Sequence, residues 1–138
     1  MAILEGISLF VDSLGRIGSA MKYRRARREK EQALREAAVY SLMRAVNLTK
    51  AYLADRRGGS GHRDRGEEAE LVTAWELAGR DMHKVGGRAR NVAARCFRKG
   101  RFWADPDSWS LKDIEKADIS LDRLESQLNA TLEQMCEE

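Results

Sequence analysis

The sequence lacks the features that several large protein classes require. No apolar run approaches the ~18 residues needed to cross a bilayer. A single proline and only 7% aromatic residues argue against β-sandwiches and barrels, which need frequent turn signals and β-branched runs. Two cysteines, Cys96 and Cys136, are too few for a disulfide framework or a cysteine-based metal site. The 138 residues therefore favour an all-α protein with one hydrophobic core.

Compartment and cofactors are inferred from further missing signals. The first residues carry Glu5 where a secretory signal would carry basic residues, so we expect a cytoplasmic protein with reduced thiols. Neither His62 nor His83 has a second histidine or a cysteine three or four residues away. We predict no metal site, no cofactor and no small-molecule substrate, and we find no motif that identifies a catalytic residue.

The clearest periodic signal lies in the centre of the chain. Apolar residues there alternate at spacings of four and three, which is a heptad pattern that holds one apolar stripe against a partner helix. The stripe consists of Leu71, Trp75, Ala78, Met82, Val85, Ala89, Val92 and Cys96. We predict one long helix here, with a seam between helices or between copies of the chain formed by Leu71, Trp75, Met82, Val85 and Val92.

Similar stripes and glycine-rich breaks divide the rest of the chain. Apolar residues from Ile3 to Met21 predict an amphipathic N-terminal helix, which Gly15 and Gly18 are expected to end or bend. We expect an antiparallel bundle of three long helices plus this shorter N-terminal helix, with heptad-like seams. The predicted elements of a single domain over 1–138 are helices 2–15, 19–56, 67–99 and 111–136, a glycine-rich loop 57–66 and an aromatic loop 100–110.

Charge is unevenly distributed along the chain. The net charge is +6 over residues 1–57, +4 over 58–104 and −7 over 105–138. Positive charge is densest in a run with six basic residues in nine, which would occupy about 13 Å of predicted helix. Such a run could bind nucleic acid phosphates or could simply be a solvated helix face, and membrane binding is less favoured. The basic residues are Lys22, Arg24, Arg25, Arg27, Arg28 and Lys30.

A second candidate contact region mixes basic and aromatic side chains near the end of the central helix. Alternation of these types could form a platform on which nucleic acid bases stack, or a docking site for a protein. The structural alternative is that the aromatic residues seal the end of the bundle. The region comprises Arg95, Arg98, Lys99, Arg101, Phe102 and Trp103.

Arg57 and His62 are separated by four residues, a spacing that resembles the Arg-x4-6-His motif of HEPN-type helical ribonucleases. The resemblance covers only this segment and implies RNA cleavage involving His62. The sequence departs from the family pattern in one respect: the motif residues of that family lie on helical backbone in a dimer cleft, whereas Gly58-Gly59-Ser60-Gly61 separates them here.

Together these patterns predict a non-enzymatic helical interaction or assembly module. We expect it to self-associate or to dock on a larger protein partner. The alternative is an accessory protein that binds RNA or DNA through its basic residues, and a HEPN-like ribonuclease ranks third.

Overall fold

We describe a computed structural model of the protein. It covers the backbone of residues 2–58 and 63–137 and the side chains of Arg16, residues 18–56 and residues 63–133. Every regular element within these ranges is helical, which confirms the all-α prediction. The helices are α1 (Ala2–Gly58), α2 (Arg65–Val85), α3 (Ala89–Ala104), α4 (Leu111–Ala117) and α5 (Leu121–Glu137), with a 3₁₀ turn at Pro106–Ser108 before α4.

The chain divides into two compact units. Unit 1 comprises residues 1–33 and unit 2 comprises residues 34–138. The described part of unit 1 is a single helix, the first part of α1. Unit 2 contains the rest of α1 together with the other helices. The expectation of one domain over 1–138 stays a prediction.

The prediction of a short N-terminal helix that ends near Gly15 is wrong. The first helix is long and continues through Gly15 and Gly18 without a break. A glycine costs a helix only about 1 kcal/mol relative to alanine. The sequence after Gly18 is rich in arginine, alanine and glutamate, which are strong helix formers. Two isolated glycines therefore weaken the helix at this point without ending it.

The predicted central helix 67–99 is not continuous. It is an antiparallel hairpin of α2 and α3, in which Gly79 of α2 faces the Phe97 ring of α3, and Gly100 of α3 lies against the Trp75 side chain of α2. The reversal occurs at Gly86 and Gly87, which have φ angles of 79° and 56°. Glycine adopts this left-handed region without steric cost, so two successive glycines end one helix and let the chain turn back.

The predicted boundaries also differ in the last third of the chain. α3 continues through Gly100 to Ala104, so Gly100 is inside a helix and does not cap it. The predicted helix 111–136 is split between α4 and α5, because Asp118 adopts a left-handed φ of 53°. Ser120 then accepts a hydrogen bond from the backbone N–H of Arg123 at the start of α5. Ser110 and Asp113 form a reciprocal capping box at the start of α4.

The core of unit 2 forms where α1, the α2–α3 hairpin and α5 meet. Trp75 is fully buried at its centre, and its Nε1 donates a hydrogen bond to Thr49 Oγ1 at 2.9 Å. Thr49 in turn donates to the backbone carbonyl of Ala45 at 2.7 Å. The only polar atom of the indole is therefore satisfied inside the core, where an unpaired N–H would cost about 1–3 kcal/mol. Other fully buried side chains are Leu42, Val46, Leu71, Met82, Cys96 and Leu124.

No helix of the described residues combines the length and hydropathy that a bilayer crossing requires. The cytoplasmic location stays a prediction.

Candidate functional site

The basic run of α1 forms the first candidate contact surface, which we call the α1 basic surface. All its cations, Lys22, Arg24, Arg25, Arg27, Arg28 and Lys30, are solvent exposed. Successive residues of a helix are rotated by about 100°, so this spacing distributes positive charge around the whole circumference. Arg27 forms an ion pair with Glu31 one turn later, at 3.2 Å. Such an exposed pair contributes little stability and leaves the field of the other cations in place.

Most side chains of the second predicted contact region make contacts within unit 2. Arg95 forms an ion pair with Asp118 at 3.1 Å. Arg98 donates a hydrogen bond to the backbone carbonyl of Ala117 at 2.8 Å. These two side chains hold α3 against the junction between α4 and α5. Of the four cations predicted here, Arg101 is the one that is solvent exposed.

The aromatic residues of this region pack against each other. The Trp103 ring is buried and lies edge-on to Phe102, with centroids 5.1 Å apart, and to Tyr52, at 5.4 Å. Phe102 also meets Trp109 edge-on at 6.0 Å. Lys99 is 8% exposed, and its Nζ lies 5.4 Å from the Phe102 centroid. The aromatic side chains thus pack against one another at the end of α3. This arrangement corresponds to the structural alternative given above rather than to a stacking platform.

The predicted seam residues are part of the core. Leu71, Trp75, Met82 and Val92 are buried, and Val85 is half-buried. They lie on both arms of the α2–α3 hairpin, and both arms turn this stripe toward the same interior. The heptad pattern identified side chains that are buried. It did not identify what they pack against, which is the rest of unit 2.

A buried ionic cluster was not predicted from the sequence. Glu68 is 3% exposed and accepts hydrogen bonds from Arg63 Nε at 3.0 Å, Arg63 Nη2 at 2.8 Å and Tyr52 Oη at 2.5 Å. Arg63 also binds Asp107 at 2.6 Å. Hydrogen bonds from Arg63 are the main cause of the lowered pKa of Glu68, although burial opposes that shift. The cluster joins α1, the start of α2 and the 3₁₀ turn, and the sequence signal for it was only the acidic first turn of α2.

Unit 2 contains a pocket of about 560 Å³. It opens beside the Gly86–Gly87 turn and is bounded by α1, the α2–α3 hairpin and α5. Four arginines line it, namely Arg35, Arg88, Arg95 and Arg123, and we call it the arginine pocket. Of these four arginines, only Arg95 is a predicted contact residue, and it was assigned to the basic and aromatic region at the end of the central helix. A sequence signal existed in the seven-residue spacing of Arg88 and Arg95, which places both on one face of α3.

Features expected of nucleophilic or metal chemistry are weak in the described part of the chain. Cys96 is fully buried, and burial raises the pKa of its thiol to about 12, so it is not an activated nucleophile. Among the described side chains, no group of three or more His, Cys, Asp or Glu residues is placed to hold a metal ion. Of the HEPN-like motif, His62 and the Arg57 side chain lie outside the described residues, as does the Cys136 side chain.

The chain was compared with protein-family models, curated proteins and solved structures. None of them matches it. Functional inference therefore depends on the geometry of the chain itself.

Proposed function

We propose that the protein is a non-enzymatic assembly module and that its N-terminal helical segment makes the intermolecular contact. The observation that supports this proposal is that unit 1 is one helix, without a second element inside the unit among its described residues. Burial of an apolar stripe needs a second helix, and the unit itself supplies none among its described residues. The sequence places such a stripe on it, at Ile3, Ile7, Phe10, Leu14, Ile17 and Met21.

The expected contact is a helix packed along this stripe. Spacings of four and three residues suit a left-handed coiled coil with a second copy or with a helix of a larger partner. The seam residues of α2 and α3 are not available for this role, because they are already buried within unit 2. Among the predicted stripes, that of unit 1 is the one we propose for the intermolecular contact.

The test is light scattering coupled to size-exclusion chromatography, combined with pull-down of the full chain. The double variant Ile7→Asp, Leu14→Asp places two carboxylates on the stripe, and it should lose the oligomer or the partner. Its matched control, Ser8→Asp with Ser19→Asp, adds the same charge to the opposite face of the same helix. A wild-type protein that is monomeric and retains no partner would overturn the proposal, as would equal behaviour of the two double variants.

A second candidate function, nucleic acid binding, is favoured by the exposure of all six cations of the α1 basic surface. Neutralising several phosphates releases counterions, so binding would weaken steeply with salt. Changing Arg24, Arg25, Arg27 and Arg28 to alanine should remove most of the affinity in a fluorescence anisotropy titration with RNA or DNA. A control with the same loss of charge replaces four exposed cations of unit 2: Arg80, Arg90, Lys112 and Lys116. Binding that is independent of salt, or equally weakened in both variants, would exclude this function.

A further inference from the structure

Three arginines of the arginine pocket, Arg88, Arg95 and Arg123, carry more positive charge than the one described carboxylate paired with them neutralises. No aspartate or glutamate is among the described residues that line it. One nearby carboxylate, that of Asp118, serves two of the arginines: it lies 3.1 Å from Arg95 and 3.4 Å from Arg123. Arg88 is exposed at the rim, and no described residue pairs with it. Three guanidinium groups, those of Arg88, Arg95 and Arg123, beside one shared carboxylate leave an electropositive cavity.

Two further features of the pocket point to a polar ligand. The Oε1 atom of Gln127 is buried in this region without a hydrogen-bond partner. A buried unsatisfied amide oxygen is uncommon in native proteins, and exchange of the oxygen and nitrogen of Gln127 would place an N–H donor there instead. α3 also begins at the pocket with no acidic residue in its first turn and with no side-chain cap from Arg88. Its first N–H groups are bonded to the carbonyls of residues 86–88, so the helix contributes the field of its dipole rather than free donors.

The remaining wall of the pocket is apolar. It is formed by Ala38 of α1, Met82 and Val85 of α2, Val92 of α3 and Ala130 of α5. A cavity of about 560 Å³ is within the usual range of small-ligand sites, which is ~300–1,000 Å³. This combination suits a ligand with an anionic group at one end and an apolar body at the other.

We infer that the arginine pocket binds a small organic phosphate of about the size of a nucleoside monophosphate. The phosphate would lie among Arg88, Arg95 and Arg123, and the apolar body would pack on Met82 and Val92. Phosphate is favoured because its oxygens match the planar donor pairs of several guanidinium groups at once. The described residues that line this site all belong to unit 2, so the inference does not depend on the function proposed for unit 1.

The test uses isothermal titration calorimetry on the full chain with two phosphate esters, adenosine 5′-monophosphate and phenyl phosphate. Adenosine and phenol are their phosphate-free counterparts, and inorganic phosphate tests the anionic group alone. We expect at least one ester to bind more tightly than both its phosphate-free counterpart and inorganic phosphate. Arg88→Gln and Arg123→Gln should each weaken that binding at least about tenfold, the usual value of one charged hydrogen bond.

Arg80→Gln and Arg101→Gln are the matched controls, since both side chains are exposed and neither lines the pocket. Arg88 is exposed at the rim of the pocket, and Arg123 is half-exposed at its edge. The fold of both pocket variants is checked by circular dichroism before titration. Three results would overturn the inference: no binding of either ester, esters that bind no tighter than inorganic phosphate, or equal losses in pocket and control variants.

Discussion

Replacement of Lys99 by methionine is expected to stabilise the protein at neutral pH. Lys99 is 8% exposed, and burial alone lowers the pKa of its ammonium from 10.5 to about 8. No described carboxylate forms an ion pair with it. Its compensation is contact with the Phe102 ring at 5.4 Å and the Trp103 ring at 6.0 Å. Methionine keeps the length and apolar character of the side chain while removing the charge.

The magnitude follows from the pKa difference. Each pKa unit corresponds to about 1.4 kcal/mol, so the charged form of Lys99 costs the folded state roughly 3 kcal/mol relative to the unfolded chain. The pKa of Lys99 is lowered on folding, so this cost is fully present below pH 8. It is relieved as the pH rises toward 10.5, because the unfolded state then binds more protons than the folded state. Loss of the ring contacts offsets part of the gain, which leaves a net stabilisation of about 2 kcal/mol at pH 7.

The assay is urea unfolding of wild type and Lys99→Met at pH 7, 8, 9 and 10, monitored by tryptophan fluorescence. The difference in unfolding free energy between the two proteins should shrink toward zero as the pH rises, and comparison at each pH removes the effects of other titrating groups. Lys112→Met, on the exposed face of α4, should change stability little at any pH. Destabilisation by Lys99→Met at pH 7, or a difference that does not vary with pH, would refute the reasoning.

Two further predictions concern the hairpin and the ionic cluster. A Cβ atom at Gly79 would lie 2.8 Å from the Phe97 ring, whereas one at Gly100 would make only ordinary contacts of 3.5 Å or more. Gly79→Ala should therefore lower the free energy of unfolding by about 1–3 kcal/mol through overpacking, and with it the thermal midpoint. Gly100→Ala should leave the free energy of unfolding unchanged or raise it by up to about 1 kcal/mol. Equal effects of the two substitutions would contradict the packing described for the hairpin. The pKa of Glu68 is lowered on folding, so its stabilisation is present above pH 4.5 and is lost as the pH falls through the folded-state pKa. Glu68→Gln should cost roughly 2 kcal/mol at pH 7 and reduce the acid sensitivity of unfolding, and an unchanged acid transition would refute this.

The core of unit 2 illustrates how far periodicity can predict tertiary structure. The stripe through Leu71, Trp75, Met82 and Val92 was recognised from its spacing, and these residues are buried. The chain reversal at Gly86 and Gly87 was not predicted, because the heptad phase continues across the turn. A hairpin that buries one face of each arm produces the same pattern as a continuous helix with one buried face. The two adjacent glycines in the middle of the predicted helix were the available signal.

The arginine pocket was not predicted for a different reason. Its arginines come from three helices, and Arg35 is separated from Arg123 by most of unit 2 in sequence. Spacing along a helix reports which residues share a face, but it does not report which faces of different helices meet. The same reason explains Lys99, whose position in a basic segment indicated a solvent-exposed cation although packing buries it.

The sequence by itself determined the all-α class, the buried stripe of the central segment and the cap at Ser110, because apolar spacing and side-chain capping act over one or two helical turns. Only the tertiary structure decided that the central segment folds back on itself, that Arg95, Arg98 and Lys99 of α3 are drawn into packing and that an arginine-lined cavity forms beside the turn. These properties depend on contacts between residues far apart in sequence. The free energy of such contacts is set by the fit of whole helix faces rather than by any local pattern.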